Sequence, residues 1–154
     1  MVKEGDKAPE FRLPADDGSE IALADLRGKA AVLYFFPKAL TTGCINEAQE
    51  FRDLEPQFAK LNGVILGCSA DSVPTQAKFV EKYKLNFRLL SDPQFQAIEA
   101  YGARRMKKFL GKSFLGIVRS TYLVGPDGQL VKIWEKAPSK GHAQEVLEAL
   151  KQLS

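Results

Sequence analysis

The hydrophobic pattern changes period several times along the chain. Ala30 to Phe36 is a continuous apolar run with β-branched and aromatic members, stopped by Pro37, and predicts a buried strand. Downstream, Ala48, Phe51, Leu54, Phe58 and Leu61 recur at helical spacing and predict a helix from Cys44 to Leu61. A strand over Val64 to Ser69, a helix over Val73 to Tyr83 and a short strand over Phe87 to Leu90 follow. Pro56 is expected to kink or divide the first helix near Glu55, because proline lacks a donor and clashes with the preceding turn. Upstream, Phe11 to Leu13 and Glu20 to Leu23 flank Asp17-Gly18, which predicts a hairpin capping one end of the domain.

The second half reads as a helix from Pro93 to Tyr101, an irregular stretch rich in Lys, Arg and Gly, and strands over Ser120 to Val124 and Leu130 to Trp134. Gly125-Pro126-Asp127-Gly128 supplies turn chemistry between those strands. A final helix from Gly141 to Leu153 carries Val146, Leu147, Ala149, Leu150 and Leu153 on one side. Strands alternating with helices indicate an α/β fold with a parallel core.

With 154 residues and 45% hydrophobic content, the expectation is one domain spanning 1–154, burying roughly 70% of its unfolded surface. The net charge of +3 is spread along the chain and favours no partner class. Met1 to Asp6 is polar and charged, and no apolar stretch approaches the roughly 20 residues that span a bilayer, so a cytoplasmic location without membrane contact is expected. Two cysteines are too few for a disulfide framework, which turns attention to what each thiol does.

Cys44 falls in the first turn of the predicted helix, directly after a strand and loop. Free backbone N–H groups and the positive end of the macrodipole favour negative charge at such a position. His142, the only histidine, starts the last helix in a context suited to the surface, so a Cys-His pair is not expected. The same scarcity excludes a conventional zinc site, and no cofactor is implied. Arg104, Arg105, Lys107, Lys108 and Lys112 read as a solvated loop rather than a nucleic-acid site. Phe109, Phe114 and Leu115 beside them suit a wall of the active site or a partner-docking surface.

The run Pro37-x-x-x-Thr41-x-x-Cys44 resembles the active-site signature of the peroxiredoxins. Tyr34 to Ala39, Gly43-Cys44, Glu47-Ala48, Phe51 to Leu54 and Gly116 to Thr121 are similar to the bacterioferritin comigratory protein or peroxiredoxin Q subfamily. The resemblance runs from Gly5 to the last helix. It implies a thioredoxin-like fold with an N-terminal hairpin and a central mixed sheet flanked by helices. It makes Cys44 the peroxidatic nucleophile, Thr41 the hydroxyl that orients the peroxide, and Arg119 the guanidinium that stabilises thiolate and leaving oxygen. Pro37 would shield the thiolate, Gly43 would offer its backbone N–H to the substrate, and Glu47 would hold Arg119. The implied partners are a hydroperoxide and a reducing thiol, whether thioredoxin, glutaredoxin or a low-molecular-weight thiol, acting on a monomer or weak homodimer.

Relatives of this kind often carry a resolving cysteine five residues after the nucleophile, and here that residue is Gln49. Cys68, near the carboxyl end of an apolar strand, reads as a small buried hydrophobe, with a resolving role as the alternative. An inert Cys68 leaves a one-cysteine enzyme whose sulfenic acid waits for an external thiol. Two other functions compete. A disulfide reductase needs a second thiol three residues on, where Glu47 stands. A peroxide sensor would have its oxidised Cys44 read by a partner.

Overall fold

The structure is a computed structural model and describes residues 2–153; Met1, which opens the polar N-terminal stretch, lies outside them. A short antiparallel hairpin, β1 (Arg12–Pro14) and β2 (Glu20–Ala22), leads through a 3-10 turn into β3 (Ala30–Phe35). Then come α1 (Thr42–Lys60), β4 (Gly63–Ser69), α2 (Val73–Tyr83), β5 (Arg88–Ser91) and α3 (Gln96–Ala100). The chain finishes with β6 (Arg104–Phe109), β7 (Lys112–Ile117), β8 (Ser120–Val124), β9 (Leu130–Trp134) and α4 (His142–Lys151). The main sheet has the order β5-β4-β3-β8-β9, with β3, β4 and β5 parallel and β8 and β9 antiparallel to their neighbours. The expected mixed sheet flanked by helices is therefore present.

Every residue of β3 is buried, and alternate side chains enter different clusters because successive Cβ atoms point to opposite faces. Val32, Tyr34 and Phe36 pack with Phe51 and Phe58 of α1, Phe79 of α2 and Val146, Leu147 and Leu150 of α4. Ala31, Leu33 and Phe35 pack with Leu13, Leu90, Ile98, Tyr101 and Tyr122. The N-terminal hairpin does not cap an end; it lies along the edge of β5, where Asp16 N–H donates to Leu89 O at 2.9 Å and Leu89 N–H to Asp16 Oδ1 at 2.9 Å. This gives the outer strand a partner, the usual remedy for an open edge.

Pro56 does not divide α1, which runs unbroken from Thr42 to Lys60. The carbonyl that a residue-56 N–H would have reached is that of Arg52, and Asn86 Nδ2 donates to it at 3.1 Å. The basic stretch from Arg104 is not a loop but the β6–β7 hairpin, with Met106 opposite Leu115 and Lys107 opposite Phe114. Leu153 is exposed rather than on the packed side of α4, which ends at Lys151. The helix expected from Pro93 starts at Gln96, because the Asp92 carboxylate accepts from the N–H groups of Gln96, Ala97 and Ile98 at 2.8 to 2.9 Å.

Candidate active site

Between β3 and α1 the chain turns through Pro37 to Thr41. Ala39 N–H donates to Asp71 Oδ2 at 2.8 Å, and Ser69 Oγ donates to the same oxygen at 2.6 Å, so the end of β4 holds this loop. Leu40 takes a left-handed conformation, φ 66°. Thr41 is the N-cap residue, extended at φ −89° and ψ 153°, and its hydroxyl donates back to Lys38 O at 2.9 Å rather than capping the helix. Thr42, Gly43 and Cys44 form the first three helical positions, and their N–H groups precede the first intrahelical bond, Ile45 N–H to Thr41 O at 2.8 Å.

Cys44 is 2% exposed. Arg119, from the short link between β7 and β8, places Nη2 3.5 Å from Cys44 Sγ and donates through Nη1 to Glu47 Oε1 at 2.7 Å. Glu47 lies three residues along the helix from Cys44, hence on the same face, and is 1% exposed. Its burial pushes the carboxyl up to about 7 against the opposing pull of Arg119. Glu47 Oε2 and Tyr34 Oη are buried without a hydrogen-bond partner among the described residues. A Cβ on Gly43 would sit 3.1 Å from Arg119 Nη2 and 3.5 Å from Ser139 Cβ, so the pocket edge leaves little room for a side chain there. Pro37 is half-buried at the head of the loop.

The structure thus brings Cys44, Gly43, Glu47 and Arg119 together, with Thr41 and Pro37 on the adjoining loop. Cys68 is in a different place. It belongs to the cluster on the opposite face of the sheet from Cys44, is fully buried, and burial pushes its thiol well above the ordinary range. The two thiols are therefore buried in separate clusters, on opposite faces of the sheet.

His142 is not at the surface. It is completely buried, with Nε2 2.7 Å from Thr121 Oγ1, Nδ1 3.2 Å from Glu145 Oε1, and Phe51 and Trp134 edge-on to its ring. Burial lowers its basicity, opposed by the hydrogen bond with Glu145.

Other residues around the pocket carry no signature in the sequence. Asn46 Nδ2 donates to Ser139 O at 2.5 Å and Glu50 Oε1 accepts from Gly141 N–H at 2.9 Å, fastening the first turns of α1 to the loop before α4. Ala137 N–H donates to Arg119 O at 2.8 Å, so that loop also holds the arginine backbone. Lys107 of β6 donates to Ile117 O at 2.9 Å; burial and then the charge of Arg119 lower its basicity, while Cys44 opposes them.

The AhpC/TSA family model matches residues 4–133, which include Pro37, Thr41, Gly43, Cys44, Glu47 and Arg119. The chain belongs to the AhpC/TSA family. It is 44% identical to peroxiredoxin Bcp of Bacillus subtilis over 153 residues, 99% of this chain and 98% of that one. Peroxiredoxin Bcp of Escherichia coli is 38% identical over 151 residues, 98% and 97% of the two chains. Among solved structures, a cysteine-to-serine mutant of Xylella fastidiosa PrxQ superposes with a TM-score of 0.94 at 34% identity, covering 99% and 98%. The Xanthomonas campestris bacterioferritin comigratory protein, studied for alkyl peroxide reduction, gives 0.89 at 38% identity, covering 93% and 91%. The fold is that of the thioredoxin-like peroxiredoxins, and the chain is a thiol-dependent peroxidase. No helix among the described residues is long and apolar enough to cross a membrane.

Proposed function

We propose that Cys44 is the peroxidatic nucleophile of a one-cysteine peroxidase that reduces hydrogen peroxide and organic hydroperoxides. The observation that carries this reading is the guanidinium of Arg119, which faces Cys44 Sγ at 3.5 Å with one nitrogen and is held by Glu47 at 2.7 Å with the other. Sγ attacks the terminal peroxide oxygen, an S–O bond forms and the O–O bond breaks. Sulfur is oxidised to the sulfenic acid, the peroxide is reduced, and the departing alkoxide takes the proton that the thiol gave up. Arg119 and the free N–H groups of Gly43 and Cys44 stabilise negative charge on sulfur and then on the leaving oxygen. Thr41 already spends its hydrogen on Lys38 O, so its remaining lone pairs are what it can offer, accepting from the peroxide O–H. Pro37, with no N–H, covers the loop side of the pocket without competing for the sulfur.

The sulfenic acid is then attacked by a thiol from outside the chain, releasing water and leaving a mixed disulfide that a second thiol reduces. Gln49 and the position of Cys68 behind the sheet support an external reductant. Thioredoxin, glutaredoxin or a low-molecular-weight thiol fits this role, and the site of action is the cytoplasm, with the protein a monomer or weak homodimer.

The test is peroxide consumption with a thiol donor, together with mass spectrometry after one equivalent of peroxide in the presence of a sulfenic-acid trap. Cys44→Ser is expected to abolish turnover and the trapped adduct, and Arg119→Met to lower kcat/KM by about 10² to 10³. A Cys44→Ser protein that consumes peroxide as fast as wild type, or a Cys44–Cys68 disulfide, overturns the reading.

A further inference from the structure

The β6–β7 hairpin is unexplained by the peroxide chemistry. Among the described residues its strands pair only with each other, and Met106, Phe109, Leu110 and Leu115 are 64%, 67%, 87% and 50% exposed. Met106 and Leu115 lie on one face of this ribbon and Phe109 on the other, with Leu110 at the tip between them, and large apolar side chains exposed together in this way mark an interaction site. The turn itself points the same way. Leu110 and Gly111 are the two central residues, both with positive φ, 52° and 78°, a geometry for which Asn-Gly is the favoured pair. A leucine held in the left-handed region, and the most exposed large hydrophobic among the described residues, costs local stability and gains no internal packing.

The hairpin contains no carboxylate from 104 to 117, and Lys108 and Lys112 flank its apolar tip. It also sits against the site. Its last strand runs through Val118 into Arg119, and Lys107 on its first strand lies close enough to feel Arg119 and Cys44. We infer that this hairpin docks the protein thiol that reduces oxidised Cys44, a partner presenting an apolar face ringed by carboxylates beside its own reactive thiol. The inference rests on the one-cysteine reading above. A second copy meeting this face with its own hairpin would set lysine against lysine with no carboxylate between them, which disfavours a symmetric contact there. Adjacency to a buried sulfur that requires an outside thiol favours a redox protein over other acidic partners.

Docking also answers a geometric difficulty. Cys44 is almost completely covered, and Asn46 and Glu50 fasten the first turns of α1 to Ser139 and Gly141. An attacking thiol must loosen those contacts. A partner bound at the hairpin can spend binding energy made at a remote surface on that opening, whereas a small thiol must wait for it to occur unaided. The chemistry is unchanged: the partner thiolate attacks the Cys44 sulfur, an S–S bond forms, hydroxide leaves as water with a proton from solvent, and the partner's second thiol then releases Cys44 as the thiol while the partner becomes the disulfide.

The experiment compares reduced thioredoxin, regenerated by its reductase and NADPH, with dithiothreitol as donors, using wild type and the double variant Phe109→Thr, Leu110→Asn. The variant keeps strand and turn propensity, so the hairpin remains. Expected is a fall of at least about tenfold in kcat/KM for thioredoxin, with dithiothreitol turnover and the rate of Cys44 sulfenic acid formation within about twofold of wild type. Lys108→Glu with Lys112→Glu should lower the thioredoxin rate and remove most of its salt dependence. Equal thioredoxin kinetics in wild type and variants, or an equal loss with both donors, overturns the inference. So does a wild type that thioredoxin reduces no faster than an equal concentration of dithiothreitol. Loss of co-sedimentation with phosphatidylglycerol vesicles, or loss of a dimer in sedimentation velocity, with thioredoxin kinetics unchanged, also overturns it and assigns the hairpin to lipid or to a second copy. Failure of wild type to form any Cys44 sulfenic acid is separate, and sinks the peroxidase reading instead.

Discussion

The two faces of the central sheet each bury one cysteine, yet the two side chains meet opposite surroundings. On one face Cys44 lies in the first turn of a 19-residue helix, with a guanidinium against its sulfur and a carboxylate behind that guanidinium. On the other, Cys68 is enclosed by Leu33, Phe35 and Tyr101 in an apolar cluster. The faces differ in polar satisfaction as well. Tyr101 Oη donates to Pro9 O at 2.7 Å and Tyr122 Oη to Tyr101 O at 2.9 Å, while Tyr34 Oη and Glu47 Oε2, on the face of Cys44, find no partner among the described residues. Reactivity here is a property of the face, and the face that hosts it carries the stability cost.

The sharpest way to break this contrast is thiol labelling of the native protein. Cys44 should react with iodoacetamide at least about 10³ times faster than Cys68, whose labelling must wait for global opening. Comparable rates, read by peptide mass spectrometry, would place both thiols in equivalent surroundings.

Next in size is the pH dependence set by Glu47. Its carboxyl moves from 4.5 to about 7, raised by burial and partly restrained by Arg119. The folded state therefore binds more protons over that interval. The stability this confers is complete below about pH 4.5 and is lost as the pH rises through about 7. Urea unfolding of wild type and Glu47→Gln should diverge across that window by on the order of 1 to 3 kcal/mol, with wild type losing stability relative to the variant. Parallel curves would mean that Glu47 keeps one protonation state throughout.

The smallest effect sharpens the comparison between tyrosines. Tyr34→Phe removes a buried hydroxyl that has no partner among the described residues and should be neutral or stabilising by up to about 1 kcal/mol. Tyr101→Phe strands the Pro9 carbonyl and should cost about 1 kcal/mol. Equal losses in a urea titration would dissolve the distinction.

Much of the reactive face was legible in the sequence, because its signals are local. The apolar run ending at Pro37, the thiol seven residues later and the carboxylate one turn beyond all follow from spacing, and α2, β8 and β9 have the predicted limits. What escaped depends on tertiary context. His142 follows a polar, glycine-containing stretch, and only the packing of Phe51, Trp134 and Thr121 around it decides that it is buried. The β6–β7 hairpin escaped because a ribbon exposed on both faces lacks the buried alternation that betrays a strand, and its turn uses Leu110 where Asn would announce it. Pro56 leaves the helix undivided for a reason equally remote in sequence: Asn86, 30 residues away, takes up the carbonyl that proline frees.

Gly43 sets a limit on how this protein can be improved. Glycine at a helical position is ordinarily an invitation to engineer, since alanine there gains up to about 1 kcal/mol. At Gly43 the added methyl would meet Arg119 Nη2 at 3.1 Å and displace the guanidinium by a few tenths of an ångström from the sulfur it faces. Where the arginine gives way, a search that selects on melting temperature alone accepts a well-folded protein with a misplaced arginine; where it does not, the contact cancels the gain.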